Sequence, residues 1–184
     1  QLPPLPFDLA AVPRVNIVAC GTSFYAGMVA KYWFEQVAGV AVDIDIASEF
    51  RYRNPPLAPG GLSIFISQSG ETIDTLAALR HAKAAGQRTL ALVNVESSAM
   101  AREAEAVLFT HAGPEIGVAS TKAFTCQLVT LACLAIGIAR ARNAIDHARE
   151  AQLSAAIAEV PSRAAEVLNH DEALRRLAGL IATA

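Results

Sequence analysis

The feature that most constrains this chain is an alternation of short apolar runs with helix-patterned stretches, repeated five times before residue 145. Residues 15–19, Val15-Asn16-Ile17-Val18-Ala19, read as a buried strand. Cys20-Gly21-Thr22-Ser23 follows as a turn, and residues 25–37 as a helix closed by Gly39. Residues 42–46 alternate apolar and acidic, the pattern of a half-exposed edge strand. Residues 54–61 hold three prolines and two glycines and mark a surface loop. A third strand at 62–66 leads to a helix over 74–85 with Gly86 just past its end. A fourth strand centres on Leu90-Ala91-Leu92-Val93. A short helix at 98–105, a short strand at 106–110 and a long apolar helix at 120–140 complete the series.

Strands that alternate with helices pair in parallel, because a crossover helix must return the chain to the same end of the sheet. The expected fold is therefore α/β: a doubly wound, three-layer αβα domain of flavodoxin-like type on a five-stranded parallel sheet. It should span residues 1–145. Residues 146–184 read differently, as two amphipathic helices of mixed charge broken at Pro161 and at Asn169-His170-Asp171. In doubly wound sheets ligands collect beyond the carboxyl ends of the strands, near the point where strand order reverses. Three segments fall there: Gly21-Thr22-Ser23, residues 67–72, and residues 115–122.

Composition narrows the choice. With 184 residues and 53% hydrophobic content the chain has enough for one sizeable core. A net charge of -2 gives no footprint for nucleic acid or an anionic membrane. An anion must be held by a local site. The 3 cysteines lack a CxxC pair and read as reduced, buried thiols of a cytoplasmic protein. His81, His111, His147 and His170 lack metal-ligand spacing, so no metal is expected. Asp43 and Asp45 share a strand face and read as a solvated edge. Residues 123–139 carry no charge, fall short of the roughly 20 residues a membrane span needs, and read as a core or subunit-interface helix.

The loop Ser67-Gln68-Ser69-Gly70-Glu71-Thr72 joins a buried strand to a helix. Backbone N–H groups at a helix N-terminus are unpaired and carry partial positive charge. A phosphate there can accept from them and from the hydroxyls of Ser67, Ser69 and Thr72. One hydroxyl suffices for a helix cap, and three together favour an anion site. Gly70 permits a left-handed bend, and Glu71 is expected to point away or to cap backbone. Gly21-Thr22-Ser23 repeats the arrangement and reads equally as a cap or a ligand contact. It is no dinucleotide fingerprint, and no G-K-[ST] occurs. Lys122 opposes the dipole of the helix it begins, so it is either solvated or partnered by an acid or a ligand.

Four stretches carry a resemblance: Ala19-Cys20-Gly21-Thr22-Ser23, Ser48-Glu49-Phe50-Arg51-Tyr52, Ser67-Gln68-Ser69-Gly70-Glu71-Thr72-Ile73-Asp74-Thr75-Leu76, and the run from Glu115 through Gly117, Val118, Ser120 and Lys122 to Thr125. In this order they resemble the isomerising glutamine–fructose-6-phosphate aminotransferases, while the 67–72 loop alone resembles the wider sugar isomerase (SIS) superfamily. The resemblance implies the first of two SIS modules, with a glutaminase before it. It implies that Ser23, Ser67, Gln68, Ser69 and Thr72 hold the sugar's phosphate and that Thr22, Val118 and Ser120 line the sugar.

It also implies a homodimer, a sugar-phosphate ligand and no cofactor. Residue 1 is Gln, so the glutaminase's terminal cysteine is absent. The family's isomerisation glutamate, ring-opening histidine and Schiff-base lysine belong to segments not present here. No catalytic residue is therefore expected in this chain, and Lys122 does not take the Schiff-base role. A stand-alone ketose/aldose phosphate isomerase and a sugar-phosphate sensor are the alternatives.

Overall fold

The computed structural model describes residues 2–116 and 120–182. They form two compact units divided between Asp146 and His147.

In the first unit, β1 (Arg14–Ala19), β2 (Ala41–Ile46), β3 (Leu62–Ser67), β4 (Arg88–Val93) and β5 (Ala106–Phe109) form one sheet in the order β2-β1-β3-β4-β5. Every neighbouring pair is parallel. Five helices accompany them: α1 (Gly21–Ala38), α2 (Ala47–Arg53), α3 (Ile73–Ala84), α4 (Ala99–Glu103) and α5 (Lys122–Ala141). Strand side chains alternate between the two faces of a sheet. Leu62, Ile64 and Ile66 accordingly join Val15, Ile17 and the buried residues of α1 and α5 in one core. Phe65 joins Val18, Phe50 and the buried residues of α2 and α3 in the other. That is the expected three-layer arrangement.

β3 is buried at all six positions, so its apolar residues Leu62, Ile64, Phe65 and Ile66 serve both faces of the sheet, with Ser63 and Ser67 buried among them. The N-terminal segment closes one side of the larger core. Leu2, Leu5, Phe7, Leu9 and Val12 pack into it, and Arg142 Nη1 donates to the Val12 carbonyl at 2.8 Å. A Cβ on Gly137 would lie 2.3 Å from Leu2 Cδ1, so that helix position admits no side chain while Leu2 is seated.

Several expectations shift. α1 starts at Gly21 and not at residue 25, because the first helical turn needs no internal N–H partners and tolerates Gly, Thr and Ser. Cys20 therefore precedes the helix as its N-cap and is only half-buried, as are Cys126 and Cys133. α2 was hidden behind the edge strand: its N-cap is Ile46, with no capping side chain, and a left-handed Asn54 ends it. At 20 residues α5 is long enough to cross a membrane. Its Ala123, Leu131, Leu134, Ala135 and Ile138 face is buried in the unit's core, and core helices pass the same length test.

The second unit contains α6 (His147–Val167), a 3-10 turn (Leu168–His170) and α7 (Asp171–Ala182). The break expected at 169–171 is that turn. Pro161 does not break α6; it lies inside the helix. No residue of α6 is buried, so water is at hand for the carbonyl that proline leaves unpaired.

Candidate functional site

The chain runs from β1 out to β2, then back past β1 to β3, so strand order reverses between β1 and β3. Beyond their carboxyl ends lies a cleft of about 400 Å³. Cys20, Gly21, Thr22 and Ser23 come from the start of α1, and Ser67, Gln68, Ser69 and Thr72 from the loop after β3. Thr75 joins them from the first turn of α3, and Ser120 from the approach to α5. Seven of the eight residues singled out in the sequence are thus gathered on one cleft. The eighth, Val118, lies outside the described residues.

The hydroxyls do not cap their helices. Thr72 is the N-cap of α3 yet makes no capping bond; its Oγ1 lies 3.0 Å from Ser67 Oγ. Ser67 Oγ accepts from Gly70 N at 3.0 Å, and Ser69 Oγ accepts from Glu71 N at 3.2 Å. α1 likewise has no capping side chain, and unlike α3, whose first turn holds Asp74, it has no acid in its first turn. Two helix N-termini therefore reach the cleft with their N–H dipoles uncapped, which favours an anion there. Among the described residues no lysine or arginine lines the cleft, so attraction comes from dipoles and hydroxyls.

The loop is anchored by its own backbone to the segments after β4. Gly70 has a left-handed φ of 66°, its carbonyl accepts from Met100 N at 3.1 Å, and the Gln68 carbonyl accepts from Asn94 N at 3.0 Å. A Cβ on Gly70 would lie 2.2 Å from Ser98 Oγ. Glu71 turns away from the cleft and accepts from Ala99 N at 2.7 Å, capping the backbone of α4 as expected.

A second hollow, lined by Asn94, Glu96, His111 and Glu115, shares Gln68 with the first. Glu115 accepts from Ala123 N at 3.0 Å and from Ser120 Oγ at 3.4 Å, so the acid at the head of α5 serves its backbone. Lys122 is exposed there, without an ion pair among the described residues.

Two polar residues beside the cleft escaped sequence reasoning. Thr75 is fully buried, lines the cleft, and its Oγ1 has no partner among the described residues. Gln127, on α5, donates from Nε2 to Ser23 Oγ at 3.0 Å. Thr75 looks like helix filler one turn after the loop. Gln127 looks like an interruption of an apolar stretch. The one available signal was a polar side chain on a helix face otherwise committed to the core.

A larger hollow of about 540 Å³ lies beside β2, but its charges are already paired. Arg14 Nε donates to Asp43 at 2.5 Å, and Arg53 donates to Asp45. The two aspartates are arginine partners, not simply solvated. Among the described residues no cluster of His, Cys, Asp and Glu could hold a metal ion.

Comparison with known proteins places this geometry. The sequence model of the SIS domain matches residues 8–137. The chain is 56% identical over 183 residues to a Zymomonas mobilis protein named glutamine–fructose-6-phosphate aminotransferase [isomerizing], covering 100% of this chain and 30% of that protein. Its Gluconobacter oxydans counterpart is 54% identical with the same coverage. The C-terminal domain of glucosamine-fructose-6-phosphate aminotransferase from Francisella tularensis superposes with a TM-score of 0.90 at 40% identity, covering 92% of this chain and 48% of that one. The chain therefore spans about 30% of the length of these curated relatives. By the extent of the match and by the fold that carries it, the chain belongs to the SIS domain family.

Proposed function

We propose that this chain is the first SIS module of an isomerising glutamine–fructose-6-phosphate aminotransferase and that its cleft binds a hexose 6-phosphate. The observation that carries the reading is the uncapped pair of helix N-termini at the β1/β3 reversal, surrounded by the hydroxyls of Thr22, Ser23, Ser67, Ser69, Thr72 and Ser120. Such a cradle offers donors to a phosphate without a fixed cation. Ser23, Ser67, Gln68, Ser69 and Thr72 take the phosphate in this reading, and Thr22, Val118 and Ser120 take the sugar. The relatives supply the substrate class: their names specify fructose 6-phosphate and glutamine.

The module holds and orients the sugar. Isomerisation and amino transfer belong to the remainder of the parent enzyme, so this chain alone turns nothing over. Residues 146–184 lead toward a second module. In this reading the protein works in the cytoplasm, as a homodimer. α1 supports the dimer, since Tyr25, Met28, Val29 and Tyr32 form an exposed apolar stripe at helical spacing.

Calorimetric titration tests the proposal. Glucosamine 6-phosphate and fructose 6-phosphate bind, and unphosphorylated glucosamine does not. Equal binding with and without the phosphate removes the phosphate cradle. Ketose–aldose interconversion by the purified chain would instead establish a stand-alone isomerase. A strict monomer in sedimentation at high concentration removes the dimer.

A further inference from the structure

Gln127 sits on the face of α5 that buries Ala123, Leu131, Leu134 and Ile138, and it is only 1% exposed. Its Nε2 donates to Ser23 Oγ at 3.0 Å, across the packing of α5 on α1. Its Oε1 is buried and has no partner among the described residues. A methionine fills nearly the same volume and leaves no unpaired carbonyl, so packing alone does not account for the amide.

What the amide does is set the role of Ser23. A hydroxyl has one proton and two lone pairs. Gln127 occupies a lone pair of Ser23 from the core side. Ser23 lines the cleft and is 7% exposed, so its proton is left for the cleft side. An anion in the cleft accepts only, and a hydroxyl whose acceptor side is already used meets it as a donor. We infer that Gln127 is a positioning residue that fixes Ser23 as a hydrogen-bond donor to the phosphate of the bound sugar, from a helix position outside the cleft. The inference rests on the sugar-phosphate reading of the cleft.

The test is a double-mutant cycle on the full 184-residue chain. Glucosamine 6-phosphate is titrated into wild type, Ser23→Ala, Gln127→Met and the double variant, with a thermal midpoint for each. Ser23→Ala weakens binding about tenfold, the loss of one donor to a charged group, and Gln127→Met weakens it by up to the same factor, because Ser23 is no longer held as a donor, without lowering the midpoint. The double variant binds no more weakly than Ser23→Ala alone. Gln127→Glu, whose carboxylate takes the Ser23 proton for itself, weakens binding at least as much.

A purely structural amide predicts a lowered midpoint and unchanged affinity. That result overturns the inference, as does a double variant whose losses add. Should Gln127→Met fail to fold, Gln127→Glu with Ser23→Ala supplies the cycle. If wild type binds and Gln127→Met binds equally well, only this inference fails. If wild type binds no sugar phosphate, the reading of the cleft fails and takes the inference with it.

Discussion

Ser67 Oγ and Thr72 Oγ1 lie 3.0 Å apart, each the other's hydrogen-bond partner across the loop that joins β3 to α3. One proton is spent between them. A phosphate can take both. Ser67→Ala together with Thr72→Ala therefore weakens glucosamine 6-phosphate binding about 100-fold, the loss of two donors to a charged acceptor. Calorimetry reads this directly, and an unchanged affinity would sink the cradle.

Gly70→Ala acts on the loop's backbone. The left-handed φ of 66° and the 2.2 Å approach to Ser98 Oγ leave no room for a methyl group. Left-handed strain plus overpacking amounts to about 3 kcal/mol of lost stability. Urea unfolding measures it. A loss near zero would mean that Ser98 and α4 yield easily.

Thr75→Val predicts the opposite sign. The Thr75 hydroxyl is fully buried and unpartnered among the described residues, so no protein group compensates its desolvation there. Replacing it raises the unfolding free energy by about 1 kcal/mol. A decrease would show that a bound water already satisfies it.

Two ion pairs set part of the acid limit. The hydrogen bond from Arg14 holds the Asp43 carboxyl below the ordinary carboxylate range, and Arg80 does the same for Glu103. A carboxyl whose folded pKa is depressed contributes stability above its unfolded pKa, and that contribution is lost as pH falls through the folded value. Asp43→Asn and Glu103→Gln therefore lower stability at neutral pH and converge with wild type below about pH 4. Both pairs are substantially exposed, so the effect is small and shrinks with added salt. Denaturation midpoints across pH 2–7 check it. A difference that does not change with pH across that range is not electrostatic.

The sheet was legible because strands buried on both faces leave runs rich in apolar residues, as Leu62, Ile64, Phe65 and Ile66 do in β3. The cleft was legible because three hydroxyls after a strand exceed what capping needs. What was not legible depends on contacts distant in sequence. Gln127 acquires its meaning from Ser23, 104 positions away. Thr75 is distinguished only by what fails to reach it. The start of α1 was misplaced because Gly21-Thr22-Ser23 has turn chemistry, and the same residues suit a first helical turn. Pro161 reads as a break because proline removes one helical hydrogen bond and crowds the preceding turn, yet α6 continues through it.

The anchoring of the 67–72 loop bears on transplantation. Gly70 meets Ser98 and Met100, and Glu71 holds Ala99, so the loop and α4 form a single mechanical part. A protein engineer who grafts the six residues onto another strand–helix junction moves the donors and leaves behind the clamp that aims them. The portable cassette runs from β3 through α4, residues 62–103, and a host scaffold must supply a parallel strand on either side of it.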